Sequence, residues 1–421
     1  MGEVESQEAG DQRNALLLRQ AFTGKMRRPQ PGARLIVALA VTAAAMVLLP
    51  VLYVLLVLAI AGAVVAYALA GAYFLSNMAG GPWIRIVVYF APIIAGIITV
   101  FFMVKPLIAP RIIPFPTREL RPQDEPLLFE FMYAVCNTLG APCPSRVEIE
   151  MGCNASASFR RGFLSFLRDD LVLSIGMPLA GNLPVQEFAA VMAHEFGHFS
   201  QRASMRLFYI VERVNLWFAR VVYERDTWDA RLEAGGENAG CLMGLTTIIA
   251  TVAVYLSRRV LWCLMWVGSA ISSYTSRQME YLADACAVRF AGSEAVERMM
   301  HHSSLLGYAD TVAADYMMAR LREYGDPMSK VPADYSKVVE MFAEDILKRT
   351  GGRSTVTPRK TGLFDTHPSD LDRIERARAL NEPGVFHLKG PASALFRDFD
   401  RLAKRMSKER ALQLLPYLRR G

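Results

Sequence analysis

Between residues 35 and 75 the chain carries no charged side chain, a run of 41 positions dominated by Ala, Leu and Val. As one straight helix it would measure roughly 60 Å, about twice the thickness of a bilayer's hydrocarbon core. It is therefore expected either to fold back as a hairpin near Ala59 to Gly62, or to bend at Pro50 and run on past the lipid. After the polar break SNMAGG, residues 84 to 104 read as another span, closed by Lys105-Pro106. Further on, helical periodicity predicts LLFEFMYAVCNTL, stopped by GAPCP, and an amphipathic helix over 204 to 224. Short strands are expected at RVEIE, around 155 to 165, and at LVLSIG. The pattern is that of a mainly α protein with a small β-sheet, an α+β domain joined to N-terminal transmembrane helices.

A second apolar stretch covers 241 to 274 and is interrupted only by Arg258-Arg259. Either two short crossings turn at the arginines, or the segment lies against the membrane with its arginines snorkelling. The polar residues 1 to 34 are expected to form a loose tail, and the proline-rich segment 106 to 126 a linker that no continuous helix can occupy. The last residues, 386 to 421, are expected to end in a basic amphipathic helix.

Composition sharpens this picture. An apolar content of 52% fits a chain partly in lipid. The net charge of +7 gathers beside apolar segments, where it has a topological explanation, so no nucleic-acid partner is expected. None of the six cysteines forms a C-x-x-C pair, which speaks against a disulfide framework. Basic residues flank both outer ends of the apolar region, Lys25 to Arg34 and Lys105 to Arg121. Both ends are therefore expected in the cytosol, which requires an even number of crossings and conflicts with a hairpin at 35 to 75.

The chemistry is concentrated in QEFAAVMAHEFGHFSQR, residues 186 to 202. His194 and His198 are one helical turn apart, so both imidazoles reach one metal ion, and Glu195 flanks them as a proton acceptor. H-E-x-x-H is the zinc-peptidase signature, and one zinc ion per chain is expected. Asn182 is expected to cap this helix, with Pro184 in its first turn. A catalytic zinc that keeps a position for water needs three protein ligands. Gln201 and Ser204 stand where one peptidase class carries Gly and a third His, which excludes that class. A carboxylate from a later helix is the alternative. In SRQMEYLADACAVRF, Glu280 and Asp284 are i and i+4, so one could bind the metal while the other orients a histidine. His301 and His302 are adjacent, point about 100° apart on a helix, and share no face for a second site.

HEFGH, MEYLADACA and FDTHPSDLDRI, in this order over about residues 120 to 380, resemble the HtpX-like and CAAX-prenyl-endopeptidase-like membrane zinc metallopeptidases. The resemblance implies a zincin-like domain over 127 to 385, with 241 to 274 membrane-associated. It implies His194, His198 and Glu280 as ligands, Glu195 as catalytic base and Asp284 as the orienting carboxylate. From the T-H-P-x-x-x-x-R pattern it implies His367 and Arg373 as helpers near the substrate carbonyl. The family's Asn-Ala edge segment matches Asn154-Ala155, though Ser156 follows where an aromatic is usual. A small sheet edge beside the zinc helix would hold an extended polypeptide by its backbone. The expected function is cleavage of membrane or membrane-proximal proteins, as quality control in a bacterial-type inner membrane with the catalytic domain cytosolic. Two alternatives are a chaperone-like peptide-binding module with structural zinc and a processing protease for lipidated C-termini.

Overall fold

The computed structural model describes residues 16–76, 81–108, 117–159, 170–223, 241–324 and 334–418. The chain is mainly helical, with one small mixed sheet. Residues 35 to 75 do not form a hairpin. They lie in a single helix, α1 (Ala33–Ser76, 44 residues), which continues through Pro50. In an apolar setting a chain reversal exposes unpaired backbone groups, whereas one proline costs the helix a single hydrogen bond. Helix α2 (Pro82–Ile108) returns alongside α1. Tyr53 donates its hydroxyl to the Met103 carbonyl at 2.9 Å, and Tyr67 donates to Val88 at 2.7 Å. Between them Gly96 approaches Val64 so closely that a Cβ would collide with it, the small-residue contact that lets apolar helices meet without a hydrophobic driving force. Both helices are long and apolar enough to cross a membrane.

Four strands make the sheet: β1 (Arg118–Leu120), β2 (Arg146–Glu150), β3 (Ala155–Phe159) and β4 (Leu171–Gly176). Their spatial order is β1-β2-β4-β3. The pairs β1/β2 and β3/β4 are antiparallel and β2/β4 is parallel, so β3 is an edge strand. The expected strand around 155 to 165 ends at Phe159, and residues 160 to 169 lie outside the described residues. β1 falls within the segment expected to be linker.

Helix α3 (Pro126–Leu139) is ended by Gly140 in the left-handed conformation (φ 69°), as GAPCP implies. After a short helix, α4 (Met177–Asn182), comes α5 (Val185–Phe199) with the two histidines. Pro184, not Asn182, occupies the N-cap of α5. Asn182 instead closes α4 and donates its amide to the Pro178 carbonyl at 2.9 Å, because the chain needs a separate turn between β4 and α5. α6 (Arg202–Tyr223) follows.

Helix α7 (Cys241–Ala291, 51 residues) is continuous from the apolar stretch through Glu280. The two crossings turning at Arg258-Arg259 are thereby overturned. Arg259 lies over the Tyr255 and Trp262 rings at 5.0 and 5.9 Å, and these faces lower the cost of a cation on an apolar helix without breaking it. α8 (Ser293–Tyr324), α9 (Tyr335–Thr350), α10 (Asp370–Leu380) and α11 (Phe399–Leu418) complete the fold.

One core joins the sheet to α3, α5, the end of α7 and the later helices. Leu18 and Ala21 are buried in it, so the segment expected to be a loose tail is tied down at least there. Phe386, Met406 and Ala411 join the same core from the C-terminal segment. A second cluster packs α1 against α2, α6 and α7 through Met46, Tyr53, Met103, Phe218 and Leu261. A third, containing Leu39, Phe159, Phe199, Phe208 and Met279, joins the start of α1 to the edge strand and the histidine helix.

Candidate metal centre

Helix α5 is buried along most of its length, and α7 crosses it at Gly197, where a Cβ would meet Cys286 and Ala283. This close approach brings Glu280 to the two histidines. Glu280 Oε2 lies 3.4 Å from His194 Nε2, and its Oε1 lies 3.9 Å from His198 Nε2. One donor atom from each of the three residues falls within 4.8 Å of the others. Tetrahedral zinc with bonds of about 2.0–2.2 Å holds its donors roughly 3.4 Å apart. Two imidazole nitrogens and a carboxylate at this spacing fit such an ion.

The electrostatics fit a cation as well. Burial disfavours charge on His194, yet hydrogen bonds to Asp284 and Glu280 overcome it and raise its pKa to about 10, so the surroundings favour a positive charge at this ring, which a metal ion would supply in place of the Nε2 proton. Burial opposes ionisation of Glu280, but His194 and His367 hold its carboxyl well below the usual range. Burial pushes His198 down to about 4, keeping its ring neutral, as a ligand must be.

Behind His194 the side chains form a chain of contacts. Asp284 Oδ1 accepts from His194 Nδ1 at 3.0 Å. Arg373 donates to the same carboxylate through Nε at 2.9 Å and Nη2 at 2.7 Å. Burial works against the Asp284 charge, and Arg373 outweighs it, bringing the pKa to about 2. This bidentate pair locks the tautomer that leaves His194 Nε2 free for a metal. Expected as a helper near the substrate carbonyl, Arg373 is found paired with Asp284. Its guanidinium is spent on Asp284, on the Nδ1 side of His194, 3.5 Å from that nitrogen. His367 is on the open side, exposed, with Nδ1 3.4 Å from Glu280 Oε1.

Glu195 faces the edge strand. Its Oε2 accepts the Ala157 N–H at 3.2 Å. Burial pushes its carboxyl up to about 7, and the Glu280 charge adds to that against the pull of His194, a value suited to a group that takes and returns a proton. Asn154 is exposed, and its carbonyl accepts the Gly176 N–H at 2.6 Å. Since antiparallel strands alternate, Ala155 and Ala157 turn their main-chain groups to the free edge. The site thus gathers His194, Glu195, His198, Glu280, Asp284, Arg373 and His367, with Ala155 on the adjoining edge and Asn154 turned toward β4.

Two participants carried no sequence signal. The Ala157 contribution is a main-chain donor, which no residue type announces. Glu212 on α6 also enters the site's field: burial raises its carboxyl, His367 counters this, and Glu280 adds to it. Its i+4 spacing from Phe208, which stacks on His198 at 5.8 Å, could have pointed to this face.

Residues 173–381 match the model of Peptidase family M48. Among curated proteins the chain is similar to "Protease HtpX" of Acinetobacter baylyi, 26% identical over 219 residues, covering 51% of this chain and 60% of that protein. It is likewise similar to "Protease HtpX" of Stutzerimonas stutzeri, 27% identical over 215 residues, covering 50% and 59%. A "Protease HtpX homolog" of Bordetella avium is 28% identical over 191 residues, covering 44% and 58%. The chain therefore spans less than two thirds of the length of these relatives.

Proposed function

We propose that this chain, which carries a peptidase family M48 domain and is HtpX-like, is a membrane-anchored zinc metalloendopeptidase. Its substrates are peptide bonds in membrane or membrane-proximal proteins, cleaved in quality control at a bacterial-type inner membrane with the site facing the cytosol. The observation that carries this reading is the convergence of His194, His198 and Glu280 beside a half-buried carboxylate, Glu195, that is spare for chemistry.

His194, His198 and Glu280 would hold the zinc, which supplies a Lewis acid that polarises a carbonyl and brings the pKa of water toward about 7. Glu195 accepts the proton of the attacking water and delivers it to the departing amide nitrogen. The Ala157 N–H keeps the Glu195 carboxylate turned toward the edge strand. A substrate laid along β3 would be held by main-chain hydrogen bonds with little regard for its side chains, which suits a protease of unfolded segments. Asp284 and Arg373 position His194. His367, on the open side, is the donor available to the developing oxyanion, such a donor being worth about 3–4 kcal/mol where measured. Gathering of Lys25 to Arg34 and Lys105 to Arg121 at the ends of α1 and α2 supports the cytosolic placement.

The test is Glu195→Gln in the full chain, with zinc stoichiometry and casein cleavage measured on one preparation. Zinc should stay and turnover should fall by about 10²–10⁴. Unchanged cleavage would remove Glu195 from this role, and zinc without turnover in the wild type would favour a peptide-binding module.

A further inference from the structure

The segment from Thr361 to His367 is exposed at its tip yet held firmly at its base. Arg277 donates to the carbonyls of Leu363 and Asp365 at 3.0 and 2.8 Å. Asp365 accepts the Gly362 N–H at 2.8 Å, and the Thr361 hydroxyl bonds Asp372 and receives the Ser369 N–H. Such a network ties the base of the segment to α7 and α10 and leaves the Leu363 and Phe364 side chains to be placed by their surroundings. Leu363 is 74% and Phe364 49% exposed, and the Phe364 ring sits edge-on to Trp266 of α7 at 5.9 Å. Three residues beyond Phe364 the same segment places His367 against Glu280.

The depth of Trp266 follows from helix packing. Gly268 of α7 meets Met46 and Leu49 of α1, and Tyr53 of α1 bonds Met103 of α2. Trp266 is therefore level, within about a turn, with Lys105. The charge-free run of α2 extends from there to Arg85, a length of roughly 30 Å and so one hydrocarbon thickness. Trp262 and Trp266 are exposed at this level. Tyr and Trp at the end of an apolar span are the side chains that favour the layer between headgroups and acyl chains. α1 and α2 also carry exposed apolar side chains, among them Val51, Leu55 and Phe101.

We propose that the strap 361–367 is a bilayer-contacting element: Leu363 and Phe364 enter the interfacial lipid beside Trp266, and this contact holds His367 over the metal centre. Glu280 is 14 residues along α7 from Trp266, so the strap bridges the roughly 21 Å between lipid surface and site. Three residues of extended chain cover about 10 Å, and the side chains of Phe364, Trp266 and His367 supply the remainder. The proposal rests on the reading of His194, His198 and Glu280 as metal ligands, but its test reads the strap without proteolysis.

The experiment uses the full chain in lipid nanodiscs. Leu363→Trp adds one indole to the five native ones. Against the wild-type background, the added fluorescence should be quenched by lipid brominated at acyl carbons near the headgroup and be shielded from aqueous iodide. Quenching by iodide and not by bromolipid would overturn the proposal. In parallel, Leu363→Asp is compared with wild type for modification of His367 by diethyl pyrocarbonate, read by mass spectrometry, with zinc content confirming the fold. His367 should react several-fold faster in Leu363→Asp, because the strap no longer docks. An equal rate would overturn the link between lipid contact and His367. Failure of casein cleavage alone would instead count against the peptidase reading.

Discussion

On one flank of Glu280, His194 is wired through Asp284 to Arg373, a chain of charges closed off from water. On the other flank, His198 lies against the Phe208 ring, and its Nδ1 is buried with no hydrogen-bond partner among the described residues. The two histidines are i and i+4 on one helix, yet one is oriented by electrostatics and the other by shape. A charged partner raises the basicity of a ligand and fixes its tautomer, whereas an aromatic wall only restricts the ring. The His194 side should therefore set metal affinity, and the His198 side should tolerate change.

The harshest way to break this contrast is Glu280→Ala, which removes the group both imidazoles face. Bound zinc should fall from one per chain to near zero by elemental analysis. Next is Asp284→Asn, which leaves Arg373 buried without its counter-charge. Unfolding by urea should show a loss of about 3–5 kcal/mol, and competition with a chelator should show zinc affinity lower by about 10- to 100-fold. Phe208→Leu changes only the wall behind His198. It should cost about 1 kcal/mol of stability and leave zinc affinity within a few-fold. If it weakens zinc as much as Asp284→Asn does, the two flanks are equivalent and the contrast fails.

The smallest effect tests the first turn of the same helix. Buried Glu187 accepts from His302 Nδ1 at 2.6 Å, with Arg298 3.4 Å away. The hydrogen bond to Glu187 raises the His302 pKa above its ordinary value, against desolvation. A raised histidine pKa stabilises the fold at pH below the unfolded value, and the benefit is lost as pH rises through the folded value. Thermal unfolding temperature should therefore decline slightly from mildly acidic to mildly alkaline pH, and His302→Gln should flatten that part of the profile.

Residue spacing made part of this legible. H-E-x-x-H on an amphipathic stretch specifies a helix and a shared face, so His194, Glu195 and His198 required no tertiary information. Glu280 and Asp284 were readable as a pair, because i and i+4 is also a local relation. What spacing does not encode is which side of an imidazole a distant residue approaches, and Arg373 illustrates this: its pattern placed it near the site without showing that it reaches Asp284 on the Nδ1 side of His194. Apolar runs were ambiguous for a different reason. Periodicity vanishes when every position is apolar, so nothing in residues 35 to 75 marks a reversal, and Gly62 sits mid-helix with open space around it. The arginine pair in α7 reads as a turn only until Tyr255 and Trp262 are seen to flank it.

On the proposal that Trp262 and Trp266 face lipid, α7, unbroken from them to Glu280, would act as a stiff lever pivoting in the bilayer. Spanning helices adjust their inclination when membrane thickness changes. A tilt of about 3° at the Trp266 level would carry Glu280 roughly 1 Å sideways, over an arm of about 21 Å. Displacements of that size separate productive from unproductive geometry in enzymes. On that proposal, acyl-chain length of the surrounding lipid would become a mechanical input to the centre.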